Sequence, residues 1–225
     1  MKRYVIIVAG GSGSRMNSSV PKQFLLLNGL PVLMHTLKAF YAYDKTIQII
    51  LSLPSAELAR WALLCQSHDF TIAHKVVNGG ATRFDSVLNG INAIEEDGGT
   101  VAIHDGVRPL VSSRVIGEAY SVAEQMGSAV ASVPLKDSIR KILSDGFTKH
   151  QDRASYVLVQ TPQTFDLAIL KRAYSKGYQE QFTDDAAVYE AAGEQITLVD
   201  GDYNNIKITT PEDLLIAESL MKREK

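Results

Sequence analysis

At 225 residues, with 45% apolar and 21% charged residues, the chain has ordinary globular composition and enough apolar mass to bury a core as one domain. A formal net charge of −2 gives no electrostatic case for nucleic acid or an anionic membrane, so any cation that matters acts locally. The single cysteine, Cys65, excludes an internal disulfide and a cysteine-based metal cluster and fits a reducing compartment.

In chain order, "YVIIVA" (Tyr4 to Ala9) is short, β-branched and closed by glycines, which predicts a buried strand. Behind Lys2 and Arg3 it imitates an export signal. The apolar run is nevertheless shorter than the usual ~7–15 residue core, and glycines and an arginine follow at once. Leu33, Leu37 and Phe40 then share one helical face, and "IQIILSL" (Ile47 to Leu53) predicts a second strand. Val87, Ile91 and Ile94 share the face of another helix, followed by the strands "TVAIH" (Thr100 to His104) and "SAVASV" (Ser128 to Val133). Strands alternating with helices imply right-handed crossovers and a mostly parallel sheet. From Leu135 to Gln160, polar and apolar residues alternate around a turn at Asp145-Gly146, the pattern of a β-hairpin or extended arm projecting from the body. The last helix starts with Thr210 as N-cap, Pro211 in the first turn, and Glu212 and Asp213 near the positive dipole end. No repeat, low-complexity tract or interdomain linker is visible, and no run approaches the ~20 apolar residues of a membrane span. The expectation is α/β: a single Rossmann-like domain over residues 1–225, its mostly parallel twisted sheet flanked by helices, with 135–160 as an inserted β-arm and a cytoplasmic location.

The stretch "AGGSGSRMNSSVPKQF" sets glycines after the first strand and then two cations, Arg15 and Lys22. The Gly-Lys-Ser/Thr ending of a P-loop is absent, because Lys22 follows Pro21. The dinucleotide fingerprint requires a small residue where Met16 stands. Read alone, Gly11 and Gly13 are a tight strand-to-helix turn as readily as a ligand loop. That turn does not account for positive charge near a strand's carboxyl end, where ligands of open α/β sheets bind. A phosphate held by the loop amides, Arg15 and Lys22 accounts for both.

This signature resembles that of the sugar- and alditol-phosphate nucleotidyltransferases. Six further stretches follow in order: "NGGATRFDSVLNGI", "IHDGVRPLV", "DR" at Asp152-Arg153, "QTPQTF", "TDDA" and "NIKITTPEDL". Together, along nearly the whole chain, they resemble the 2-C-methyl-D-erythritol 4-phosphate cytidylyltransferase family of the non-mevalonate isoprenoid pathway. The resemblance implies an enzyme that joins CTP and a polyol phosphate with release of pyrophosphate, needs Mg²⁺ or another divalent cation, and forms a homodimer through the β-arm. It places Arg15 and Lys22 at the α-phosphate and leaving group, and the loop Ala9, Gly10, Gly11, Ser12, Gly13 and Ser14 around the nucleotide. Gly79, Gly80 and Ser86 would serve base and ribose. Arg153 and Lys207 would position the incoming phosphate, and Arg108, Ser138, Thr161 and Thr183 would contact the polyol or its phosphate. Asp105 is the candidate protein partner of the metal, which substrate phosphates would mostly hold.

The chemistry needs no general base. A phosphate monoester has a second pKa of about 6, so the attacking oxygen is largely dianionic at neutral pH. The five histidines, His35, His68, His74, His104 and His150, form no spacing suited to proton transfer or metal binding, and His104 reads as a strand-end residue. What the reaction needs is cancellation of charge between two anions. In isolation, Asp105 is equally an aspartate opening a turn before Gly106, and Lys207 an exposed strand lysine. Asp184 and Asp185 begin a helix with Thr183 as its cap. The sequence departs from the family pattern at Ala81, where relatives carry an acidic residue, at Gly106-Val107, and at Ser138, where threonine is common. The alternatives are a ribitol-5-phosphate cytidylyltransferase, a non-catalytic nucleotide sensor and a dinucleotide-binding reductase; Met16 speaks against the last.

Overall fold

The computed structural model describes residues 1–11 and 20–223. In β1 (Arg3–Val8), Val5 and Ile7 join one apolar cluster and Tyr4 and Ile6 the other, all four fully buried. A strand that is apolar on both faces requires cover on both. Next, β2 (Leu26–Leu27) and β3 (Leu30–Pro31) pair around Asn28-Gly29, both at positive φ (49° and 82°), the backbone a two-residue hairpin turn demands. The chain continues through α1 (Val32–Tyr43), β4 (Gln48–Leu53), α2 (Leu58–Ser67), β5 (Lys75–Asn78), α3 (Arg83–Asn92), β6 (Thr100–Asp105), α4 (Ser113–Met126) and β7 (Ser128–Pro134). After these come β8 (Ile139–Ile142), β9 (Thr148–Gln151), β10 (Val157–Asp166), α5 (Leu167–Tyr174), α6 (Asp185–Ala191), β11 (Leu198–Asp200) and α7 (Pro211–Arg223).

Seven strands form one sheet in the order β5-β4-β1-β6-β10-β7-β11. All neighbours are parallel except β10, which runs antiparallel to both β6 and β7. Side chains of α1, α2 and α4 pack on one face, and those of α3, α5 and α6 on the other. The expected α/β architecture with a mostly parallel sheet is therefore present. Because β4 and β6 flank β1 on opposite sides, the chain order reverses there, and the carboxyl ends of β1 and β6 open the crevice where such sheets bind ligands.

Within the 135–160 stretch, β8 and β9 form their own two-stranded sheet, paired from Ile139↔Gln151 to Ile142↔Thr148. Its turn holds Gly146 at φ +85°, with the Phe147 N–H donating to Asp145 Oδ1. The stretch is not all arm, because the returning chain joins the main sheet at Val157, opposite Pro134 of β7. The last helix starts as expected: Thr210 Oγ1 accepts from the Asp213 N–H while Asp213 Oδ2 accepts from the Thr210 N–H, a reciprocal cap. The cap of α6 differs from expectation. Asp184, not Thr183, receives the Ala187 N–H at 2.9 Å, and Gln163 Oε1 accepts the next N–H groups, those of Asp185 and Ala186. A carboxylate is the stronger acceptor at a helix's positive end, and it wins over the neighbouring hydroxyl.

Candidate active site

The crevice begins where β1 ends. Ala9, Gly10, Gly11, Lys22, Gln23, Gly80, Ala81, Thr82, Arg83, Ser86, Asp105 and Lys207 all line one cleft. Ala9 is clamped on both sides: its N–H donates to Ser52 on β4, and its carbonyl accepts from the buried Gln23 amide at 3.0 Å. Lys22 opens a single 3₁₀ turn, Lys22–Phe24, and is almost buried against the glycine loop, its chain 3.5 Å from where Gly11 would carry a Cβ. Opposite, Ser86 Oγ accepts the Gly80 N–H at 3.1 Å and donates to the Thr82 carbonyl at 2.9 Å. Gly80 is sterically compulsory, since a Cβ there would stand 2.1 Å from Asp85 Cβ. Gly79 is outside the lining; its N–H ties the loop to Leu53 of β4.

A second cavity adjoins the first and shares Arg83, Asp105 and Lys207 with it; Arg108, Gln160, Thr161, Thr183 and Asp184 are among the other residues of its wall. Asp105 is the hinge between the two. Its Oδ2 accepts from Lys207 Nζ at 3.1 Å and Arg108 Nε at 3.2 Å, while Oδ1 lies 4.0 Å from Arg83 Nε. Burial alone would raise this carboxyl, but the charges of Lys207, Arg83 and Arg108 outweigh it and hold the group well below the usual carboxylate range. Lys207 is not on a strand. Its neighbour Ile208 is fully buried and donates its N–H to Val107, and the lysine side chain crosses to Asp105. Gly106 lets the end of β6 pack closely against the end of β1, because a Cβ there would meet Ala9 Cβ at 2.9 Å. His104 is fully buried; burial pushes its imidazole down to about 4, against the hydrogen bond to the Arg108 carbonyl that raises it.

Comparison with known proteins decides the family. The profile of 2-C-methyl-D-erythritol 4-phosphate cytidylyltransferase matches residues 4–223. The chain belongs to this family. Enzymes of that name from Bacteroides thetaiotaomicron and Porphyromonas gingivalis are 48% and 49% identical to it, over 98% of this chain and 100% and 98% of theirs. The crystal structure of the enzyme from Thermus thermophilus superimposes with a TM-score of 0.80 at 30% identity, covering 99% of this chain and 100% of that one. The 4-diphosphocytidyl-2C-methyl-D-erythritol synthase from Anaerococcus prevotii superimposes with a TM-score of 0.85 at 27% identity, covering 98% and 96%.

Of the residues the family resemblance singled out, Ala9, Gly10, Gly11, Lys22, Gly80, Ser86, Asp105, Arg108, Thr161, Thr183 and Lys207 line the joined cavities. Ser12, Gly13, Ser14 and Arg15 lie outside the described residues, as does Met16. Ser138 and Arg153 are exposed on the arm and line neither cavity of their own chain. Arg83, not singled out from the sequence, lines both. Its guanidinium grips the fully buried Asp185 with two hydrogen bonds, 2.9 and 2.6 Å, and Tyr174 donates to the same carboxylate at 2.6 Å. Only the structure supplies the signal: Arg83 is the first residue of α3, where the helix dipole disfavours a cation that has no anion to meet.

Among the described residues no group of three or more His, Cys, Asp or Glu gathers to hold a metal. The donor present is Asp105 Oδ1, the oxygen left by Lys207 and Arg108. That is no protein cage, but it fits a hard cation whose other ligands are substrate phosphates and water. No helix of the described residues is long and apolar enough to cross a membrane.

Proposed function

We propose that the chain transfers the cytidylyl group of CTP to the phosphate of 2-C-methyl-D-erythritol 4-phosphate, releasing pyrophosphate. The observation that carries this reading is the pair of cavities meeting at Asp105, Arg83 and Lys207, with Lys22 on one side and Arg108 on the other. Two polyanions must be brought together, and this arrangement gives each its own cations.

CTP occupies the cleft at the end of β1, its base against the Gly80–Ser86 loop and its phosphates toward Gly10, Gly11 and Lys22. The acceptor phosphate enters the adjoining cavity, held by Lys207 and Arg108. Its oxygen forms the new bond to the α-phosphorus as the bond from that phosphorus to the bridging β-phosphate oxygen breaks. The electron pair leaves with pyrophosphate, and no proton moves, because the nucleophile is already a dianion. Lys22, with Arg15, meets the charge that grows on the α-phosphate and leaving oxygens, where preorganised donors act most strongly. Asp105 Oδ1, together with the CTP phosphates, would hold Mg²⁺ or another divalent cation, which when bound would supply further charge neutralisation there. Asp105 also keeps Lys207 and Arg108 in place while the acceptor arrives. Arg153 and Ser138 serve the acceptor from a second subunit, the arm built on β8 and β9 mediating a homodimer in the cytoplasm.

The test is pyrophosphate release by purified protein with each of four nucleoside triphosphates, methylerythritol phosphate or ribitol 5-phosphate, and with or without a chelator. Turnover confined to CTP, methylerythritol phosphate and free divalent metal is expected. Equal turnover with UTP or ATP would overturn the cytidylyl reading, and turnover with ribitol 5-phosphate alone would transfer it to the alternative acceptor. Full activity in the chelator would remove the metal.

A further inference from the structure

His104 takes no part in the transfer just described, yet it is fully buried beside the site, in β6 one residue before Asp105, with its ring edge-on to Phe40 at 5.0 Å between centroids. It is the middle of a chain of three hydrogen bonds, two of them at its ring. Its Nε2 lies 3.1 Å from the Arg108 carbonyl, its Nδ1 3.1 Å from Thr161 Oγ1, and Thr161 Oγ1 accepts the Asp105 N–H at 3.1 Å.

Fully buried, and facing a carbonyl and a hydroxyl rather than a carboxylate, the ring is read as neutral, and its partners then assign the protons of this chain. A carbonyl only accepts, so Nε2 carries the hydrogen. In a neutral imidazole Nδ1 is then a lone pair, and the Thr161 hydroxyl must donate to it. The hydroxyl has one proton, so toward Asp105 it acts as acceptor, which suits the N–H it faces. Thr161 therefore has no proton left for an acceptor phosphate.

The location gives the chain a purpose. The antiparallel ladder between β10 and β6 runs from Asp166↔Thr100 to Gln163↔Ile103 and goes no further. Beyond it, Thr161 replaces a ladder bond with a side-chain bond to Asp105. The two ends of the chain, the Asp105 N–H and the Arg108 carbonyl, bracket one turn, closed by the Arg108 N–H on the Asp105 carbonyl at 3.0 Å. That turn aims the Asp105 carboxylate and the Arg108 guanidinium into the acceptor cavity. We propose that His104 is a positioning residue for cytidylyl transfer: through the Thr161 hydroxyl and the Arg108 carbonyl it pins both ends of the Asp105–Arg108 turn, and Thr161 serves this chain rather than the acceptor phosphate. The proposal rests on the acceptor site described above.

The experiment is a double-mutant cycle with steady-state kinetics on the full chain. Thr161→Val and His104→Leu should each lower kcat about tenfold to a hundredfold, because each leaves buried partners unmade. The KM for CTP should stay within about twofold, whereas a general loss of structure would affect both substrates alike. The double variant should be no worse than the poorer single one, since both break one chain, and Thr161→Ser should recover most of the activity. Multiplying losses in the double variant, or a raised acceptor KM in Thr161→Val with His104→Leu at wild-type rate, would overturn the proposal. Nitrogen-15 NMR of the unligated wild-type protein provides a readout that needs neither turnover nor a folded His104 variant. A proton on Nε2, with an Nδ1 resonance that shifts in Thr161→Val, is expected; a proton on Nδ1 would refute the chain. Wild-type protein inactive with CTP and methylerythritol phosphate would defeat the functional reading while leaving the NMR result to decide the geometry.

Discussion

Asp185 is fully buried, and its carboxyl group is held by the two-pronged contact from Arg83 and by the Tyr174 hydroxyl. Arg83→Leu would strand that carboxylate. Breaking one side of a buried pair costs about 3–5 kcal/mol, and because Arg83 is itself 31% exposed the lower end is expected. Urea denaturation measures it; Arg83→Lys, which keeps charge but loses the planar fork, should fall between. A loss below about 0.5 kcal/mol would place the pair among ordinary surface bridges. Lys22 should behave in the opposite way. Lys22→Ala is expected to lower kcat roughly 10²–10³-fold with little change in Tm, because its contact strengthens as charge develops on the phosphates. Near wild-type kcat at unchanged Tm would make Lys22 idle. The pH profile belongs to the substrate. Asp105 is held charged well below the usual carboxylate range, so it contributes no limb near neutrality. Activity should fall on the acid side with an apparent pKa of about 6, that of the acceptor's phosphate monoester. A methylene phosphonate acceptor, whose second proton is held more tightly, should move that limb to higher pH; an unmoved limb would reveal a protein base.

At the scale of elements, the loop entering α3 joins fold to site. Thr82 and Asp85 cap the helix reciprocally, Ser86 ties down the Gly80 N–H, and Gly80 has no room for a side chain. Gly80→Ala must therefore shift the loop, at a cost of about 1–3 kcal/mol for forced overpacking. The KM for CTP is expected to rise about tenfold or more with a smaller change in kcat; an unchanged KM would remove this loop from the nucleotide site. The strand runs of β1, β4, β6 and β7 were legible because burial on both faces writes them as short apolar stretches. The final helix was legible from Thr210, Pro211 and Asp213. The direction of β10 was not, since alternating strands and helices imply parallel neighbours and only the intervening arm turns this strand back. The α6 cap was misplaced by one residue because Thr183 and Asp184 are both competent and the choice is settled locally by the carboxylate. The short edge strands β5 and β11 carry too few buried residues to stand out. Site glycines were legible by spacing, but Arg83 was not, because its partner lies 102 residues away.

At the scale of the whole molecule, the arm presents surface that a single chain leaves bare. Ile142 and Phe147 are 77% and 74% exposed, and Tyr156, Val157, Leu158 and Val159 are also exposed along the returning strand. An isolated hairpin is marginal in water, and exposed apolar edges invite pairing with another chain. A twofold dimer with clasped arms would cover both, and twofold closure is the commonest symmetry of soluble oligomers. Arg153, in the turn just before that strand, donates to the Lys136 carbonyl at the root of the arm and lines neither cavity of its own chain. On the function proposed above it would serve a neighbour's acceptor site. The test mixes two inactive variants, Arg153→Ala and Lys22→Ala, under conditions that let subunits exchange. If sites are shared, each heterodimer holds one site carrying both lesions and one carrying neither. Random exchange of equal amounts makes half the dimers mixed, so about a quarter of wild-type activity should return, in step with the heterodimer fraction read by native mass spectrometry. Exchange without recovery would mean that Arg153 acts within its own subunit, and the clasped-arm site would be wrong even for a dimeric protein.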